Sequence, residues 1–171
     1  TFIDEAVQSG RFADDAGGRS CLDADGDLDA FVTHQPGGNR IWFNDGAGSF
    51  VDSGDFFGDI PGVGVALGDL DGDGDLDAFT TTLNAASNRI WLNEGGGFSD
   101  SGQLLAETSH SWAVALRDFE GEGDLDAFVA NGSVPGAQTN HVWINEGGVF
   151  ARSGQDIGTL ATLHAAAGDI D

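Results

Sequence analysis

Lysine is absent from the 171-residue chain, and so is tyrosine. Without lysine there is no P-loop cation and no Schiff-base amine; without tyrosine there is no phenolic base. A Gly-x-Ser-x-Gly nucleophile elbow is missing too. All 6 basic residues are arginines, set against 29 acidic ones, which gives a formal net charge of -23. No basic patch exists to displace counterions, so nucleic acid and anionic lipid surfaces are excluded as partners. Cys21 is the single cysteine; it permits no internal disulfide and no cysteine zinc cluster, and reads as a small buried hydrophobe. No apolar run approaches the roughly 20 residues that a membrane helix needs, so no membrane insertion is expected. The first residues lack the basic and apolar regions of a signal peptide, although a removed signal would leave no trace.

What the chain has is repetition. "DGDLDAF" at 25–31 returns at 73–79 and, as "EGDLDAF", at 122–128. "NRIWFNDGAGSF" at 39–50 returns as "NRIWLNEGGGF" at 88–98 and "NHVWINEGGVF" at 140–150. The aspartates that open "DLDAF", Asp27, Asp75 and Asp124, are spaced 48 and 49 residues apart, the length of one four-stranded propeller blade. Repeats are placed at about 11–58, 59–106 and 107–158, with a truncated fourth from 159. In the clearest copy the β-branched and aromatic segments predict strands at Val63–Leu67, Asp77–Thr82, Arg89–Asn93 and Phe98–Ser101, with a glycine hairpin at 93–97. No segment keeps a helical period. The fold class is therefore all-β: a propeller segment of three four-stranded blades plus partial strands at both ends, an incomplete ring. "TFIDEAVQSG" at 1–10 resembles "SFVDSGDFFG" at 49–58 and is read as a leading outer strand; the segment from 159 is read as a trailing inner strand. On that reading two copies placed head to tail would not close, because the joining blade would lack its second and third strands.

Residues 68–79, "GDLDGDGDLDAF", crowd five aspartates into nine positions. Like charges at about 5 Å repel by roughly 1 kcal/mol in water and by several times more near a low-dielectric surface, so an opposite charge is expected there. Asp69, Asp71, Asp73 and Asp77, curled about Gly74, suit the six to eight hard oxygen ligands of Ca²⁺, with Asp75 giving a backbone carbonyl. Mg²⁺, which demands a tight octahedron, fits less well. An EF-hand fails, because position twelve is Thr80 counted from Asp69 and Val129 counted from Asp118, and both flanks read as strands. Copy three offers Asp118, Glu120, Glu122 and Asp126, with Asp124 between. Copy one has Asp23, Asp25, Asp27 and Asp29 but Cys21 in the first ligand place, and a weaker site is expected there. Asp169 and Asp171 alone make no site. The plain alternative is a set of solvated acidic turns; the recurrence of one spacing favours metal.

"GVALGDLDGDGDLDAF", "NRIWLNEGGGF" and "DSGQ" resemble the FG-GAP/VCBS repeat, the blade unit of integrin-alpha-like propellers. The resemblance covers nearly the whole chain and implies calcium in the loop between the first two strands of a blade. It also implies a secreted or cell-surface protein of adhesion, carbohydrate-binding or scaffold type. The expected function is a non-catalytic, calcium-binding module for extracellular interaction with a protein or glycan. The alternatives are a lectin-like propeller and a structural subunit completed by another copy or another chain. Cys21, the poor strand before it and the missing blades depart from the family pattern.

Trp42, Trp91 and Trp143 share one place in strand three, and packing between blades is favoured there over a sugar platform. Trp112 stands where copy two has Val63, which makes His110 and Trp112 the candidate ligand contact. His34, His141 and His164 read as surface or packing residues. Asn131-Gly-Ser matches a glycosylation sequon.

Overall fold

The computed structural model describes residues 6–8, 22–23, 25–34, 38–58, 62–83, 86–106, 110–132, 138–158 and 161–168. Cys21, Asp169 and Asp171 lie outside them. Twelve strands form three four-stranded antiparallel sheets, with no helix among the described residues. Sheet one contains β1 (Ala6–Gln8), β2 (Ala30–Thr33), β3 (Arg40–Asn44) and β4 (Phe50–Asp52). Sheet two contains β5 (Gly62–Gly68), β6 (Asp77–Thr82), β7 (Arg89–Asn93) and β8 (Phe98–Asp100). Sheet three contains β9 (Ser111–Arg117), β10 (Asp126–Asn131), β11 (Asn140–Glu146) and β12 (Val149–Ile157). Each sheet runs in simple meander order, and the first strands are neighbours, β5 lying against both β1 and β9. This is the blade-on-blade arrangement of a propeller, not closed into a barrel.

The ends differ from the sequence reading. Residues 6–8 are not an outer strand of a preceding blade. They pair antiparallel with β2, Gln8 opposite Phe31, and so complete sheet one as its first strand. That place was expected just before Cys21, in a segment that lies outside the described residues. The trailing segment 161–168 carries no strand, although its Thr162 N–H donates to the Asn131 carbonyl at 3.0 Å.

The apolar core sits between the blades. Side chains alternate across a strand, so in sheet two Ala78 and Trp91 face sheet one while Phe79 and Ile90 face sheet three. Phe98 packs on Phe31 and Phe57 with ring centroids 5.6 and 5.8 Å away. Phe150 meets Phe79 edge-on at 5.8 Å in the next joint. Trp91 and Trp143 are buried in these joints, as the packing reading expects, and Trp42 is half-buried. The inner strands approach closely: a Cβ on Gly64 would lie 2.6 Å from the Trp112 carbonyl oxygen, so no larger residue fits there unshifted. The three consecutive threonines of β6 are buried and satisfied. Thr80 Oγ1 accepts the Trp91 indole N–H at 2.9 Å, Thr81 Oγ1 accepts from Gly64 N at 2.9 Å, and Thr82 Oγ1 donates to the Ala86 carbonyl at 2.7 Å.

Candidate metal centre

The loop from Asp69 to Asp77 joins β5 to β6 and curls on itself through Asx-type bonds. Asp69 Oδ1 accepts from Gly72 N at 2.8 Å, Asp71 Oδ1 from Asp73 N at 3.1 Å and Asp73 Oδ1 from Asp75 N at 2.8 Å. Gly74 sits at φ 97°, with Gly26 at 97° and Gly123 at 110° in the other two loops, a backbone state that L side chains rarely adopt. Carboxylate oxygens of Asp69, Asp71 and Asp77 all lie within 4.8 Å of one another. Oxygens so placed can share one cation at the 2.3–2.6 Å that calcium requires. The chemistry of the donor set, hard anionic oxygen throughout, fits Ca²⁺. Burial, more than crowding, raises two of these carboxyls. Burial, and then the charges of Asp73 and Asp69, raise the Asp71 carboxyl above its usual range. Burial pushes Asp77 up to about 6, against the backbone N–H groups that favour its charge.

Asp77 has a second role. Its Oδ2 accepts from Leu70 N at 2.8 Å and its Oδ1 from Asn93 N at 2.9 Å, tying the loop to β7. Asp29 repeats this with Leu22 N and Asn44 N, both at 2.8 Å; Asp126 repeats it with Phe119 N at 2.8 Å and Asn145 N at 2.9 Å. The last aspartate of each loop is thus a strut, and in the second loop Asp77 is also one of the three gathered carboxylates. The carboxylates of Asp75 and Asp124 turn away from the loop centre and accept from hairpin amides, Gly95 N at 3.1 Å and Gly147 N at 2.8 Å. This leaves the Asp75 carbonyl as its means of meeting a cation.

Among the described residues, only the second loop gathers three such groups. In the third loop Asp118 is turned inward, its carboxylate accepting from Gly121 N at 2.6 Å, Glu122 N at 3.2 Å and Gly123 N at 2.9 Å. Those bonds, led by that from Gly121, lower its pKa. Glu122 is raised, mostly by desolvation and then by Glu120. In the first loop Asp23 Oδ1 accepts from Asp25 N at 3.1 Å and Asp25 Oδ1 from Asp27 N at 2.9 Å, while desolvation raises Asp23. Of the four carboxylates expected at copy two, Asp69, Asp71 and Asp77 come together and Asp73 does not join them; among the described residues no such group forms at Asp118, Glu120, Glu122 and Asp126 or at Asp23, Asp25, Asp27 and Asp29.

A family model described as an FG-GAP-like repeat matches residues 22–80 and again residues 69–129, together more than half of the chain. The chain belongs to the FG-GAP-like repeat family. No curated protein matches it. The two FG-GAP-like matches overlap across 69–80, the acidic loop and its following strand.

The sequence reading did not foresee how the FG-GAP-like blades lock each loop in place. Asn93 Nδ2 donates to the Leu22 carbonyl at 3.1 Å, and Asn145 Nδ2 to the Leu70 carbonyl at 2.8 Å. Each of these buried asparagines thus grips the acidic loop of the preceding blade. The glycine three residues on packs on the same loop; a Cβ on Gly148 would lie 3.1 Å from Asp71 Cβ. Gln103 fastens the joint further out, Nε2 donating to the Gly148 carbonyl at 2.7 Å and Oε1 accepting from Phe150 N at 2.9 Å. The recurrence of Asn before the hairpin glycines was the available signal.

The other candidates lie outside the acidic loops. Trp112 is half-buried and its indole N–H donates to the Gly132 carbonyl at 2.9 Å, while Gly132 N donates to the His110 carbonyl at 2.9 Å. These bonds hold Trp112 and the His110 backbone beside Gly132. His34 is half-buried and His164 exposed; His141 is buried, with Nδ1 3.2 Å from Asn131 Nδ2 and Nε2 3.1 Å from Thr139 Oγ1. Asn131 itself is fully buried, its Oδ1 accepting from Ser111 Oγ at 2.9 Å, so the folded sequon asparagine is closed to a glycan.

Proposed function

We propose that this FG-GAP-like module binds calcium in the Asp69–Asp77 loop and serves, without chemistry of its own, as a rigid extracellular platform for protein interaction. The convergence of Asp69, Asp71 and Asp77 oxygens carries the reading. A bound cation would neutralise carboxylates for which the described residues supply no ion pair. It would also stiffen the joint between blades, because the Asn145 side chain and Gly148 bear on that same loop. Extracellular calcium modules work with dissociation constants of about 0.1–1 mM, which suits a loop shaped by aspartates and backbone carbonyl. The family supports an adhesion or scaffold setting. Trp91 and Trp143 lie in the joints, so no sugar platform is favoured on them.

Thermal melting tests this reading. Calcium at about 100 times its dissociation constant contributes about 2.7 kcal/mol, which in a domain of this size is roughly 5–10 °C. Melting should rise by that amount over a chelator at matched ionic strength, and magnesium should give less. Equal melting in calcium and chelator would overturn the proposal.

A further inference from the structure

Leu70 stands between two of the gathered aspartates, Asp69 and Asp71, and it is held from three directions. Its side chain is buried in the core of the joint between sheets two and three, with Phe79, Trp143 and Phe150. Its N–H donates to the third gathered aspartate, Asp77, at 2.8 Å. Its carbonyl accepts from the Asn145 side chain of blade three, also at 2.8 Å. Asn145 is itself fixed, its backbone N–H donating to Asp126 Oδ1 at 2.9 Å and its Oδ1 accepting from Gly148 N at 2.9 Å. Gly148 bears on the residue after Leu70; a Cβ there would lie 3.1 Å from Asp71 Cβ and 3.3 Å from Asp71 Cα. The backbone that carries Asp69 and Asp71 is thus set by the next blade as well as by its own loop.

We infer that Asn145 is a positioning residue for the cation centre of blade two, so that the docking of blade three sets the calcium affinity of the Asp69–Asp77 loop. The inference rests on the calcium reading above and adds its control. Asn145 acts through Leu70 and is not a ligand, since its Nδ2 is a donor and its Oδ1 is engaged by Gly148 N. Carboxylates that lie within 4.8 Å repel one another before a cation arrives, and a loop released from the joint would relax by parting them. Binding would then include the cost of gathering them again. Hydrogen-bond partners that orient metal ligands are typically worth about 10–100-fold in affinity. The first loop separates grip from ligand: Asn93 Nδ2 holds the Leu22 carbonyl at 3.1 Å, yet among the described residues no three carboxylates gather there. The grip orients a centre only where the aspartates are supplied. Coupling is reciprocal, so calcium tightens this joint by the factor that the joint adds to calcium binding.

Calcium titration of the intact chain, followed by the amide resonances of Gly72 and Gly74, reads this loop directly. Asn145→Ala should raise the half-saturating calcium concentration at least about tenfold. Asn145→Ser keeps an oxygen for Gly148 N but is too short for the Leu70 carbonyl; it should do the same, and it stands in if the alanine variant does not fold. Ile41→Val, in the core of the other joint, lowers stability without touching the loop and should move the midpoint less than about twofold. In the native protein the Phe150 N–H crosses the joint to Gln103 Oε1 at 2.9 Å, and saturating calcium should slow its exchange about tenfold or more. Equal midpoints in the native protein and the Asn145 variants overturn the inference and leave the calcium reading standing. An equal rise in Ile41→Val overturns it too, because general loosening would then explain the effect. Gly72 and Gly74 amides that ignore calcium in the native protein overturn the calcium reading itself, and the inference with it.

Discussion

Asp77→Ala should lower the urea midpoint of the calcium-free protein and abolish its response to calcium. Asp77 is fully buried from solvent, and its two oxygens hold Leu70 N and Asn93 N. Each amide left without an acceptor costs about 1–3 kcal/mol. Part of that loss is offset, since burial had raised the carboxyl to about 6 and the variant has no charge to desolvate. The net expectation is about 2–4 kcal/mol, or roughly 5–15 °C in a chain of this length. Asp71→Asn is the informative contrast. Among the described residues Asp71 bonds only within the loop, to Asp73 N at 3.1 Å, so this variant should lose the calcium response and keep the calcium-free stability. If both variants behaved alike in chelator, the strut role of Asp77 would be refuted.

The second large effect is expected at Asn145. Its Nδ2 donates to the Leu70 carbonyl at 2.8 Å and the Leu125 carbonyl at 3.2 Å, and its Oδ1 accepts from Gly148 N at 2.9 Å. Alanine there strands a buried carbonyl of the preceding blade and a hairpin amide, at a cost of about 2–4 kcal/mol. The loss should be local as well as global. Amide exchange should quicken in residues 70–75 of blade two, far from Asn145 in sequence, because the grip on that loop is gone. Asn44→Ala should cost under about 1 kcal/mol, since its bonds, to the Leu28 carbonyl and from Gly48 N at 3.2 Å, lie at an exposed hairpin. Unchanged exchange in the loop after Asn145→Ala would show that the blades do not support one another there.

The blade interior was legible in the sequence because its signals are local. The strands at Asp77–Thr82 and Arg89–Asn93 fall at their expected residues, and Gly62–Gly68 extends the expected strand by one residue at each end. Alternation of side chains and the glycine hairpin set these without help from neighbours. The acidic loop was legible for the same reason, as a run of alternate aspartates about a glycine. What escaped the reading depends on the next blade. The Asn93 and Asn145 grips span 71 and 75 residues of sequence, and periodicity carries no sign of a bond made at that range. Similar loop sequences also hid different geometries: Asp118 caps its own loop where Asp69 turns toward Asp71 and Asp77. The position of Ala6–Gln8 was misread because likeness to residues 49–58 outweighed the need of sheet one for an inner strand.

Calcium bound per chain, measured by equilibrium dialysis and elemental analysis at about 1 mM free metal, the weak end of extracellular sites, tests the central claim most directly. About 0.5–0.9 of an ion per chain should be held in excess of the dialysate for a site of that strength, and the Asp69→Asn/Asp71→Asn double variant should lose it. No excess calcium in the native protein, or the same excess in the double variant, would contradict a metal centre in this loop.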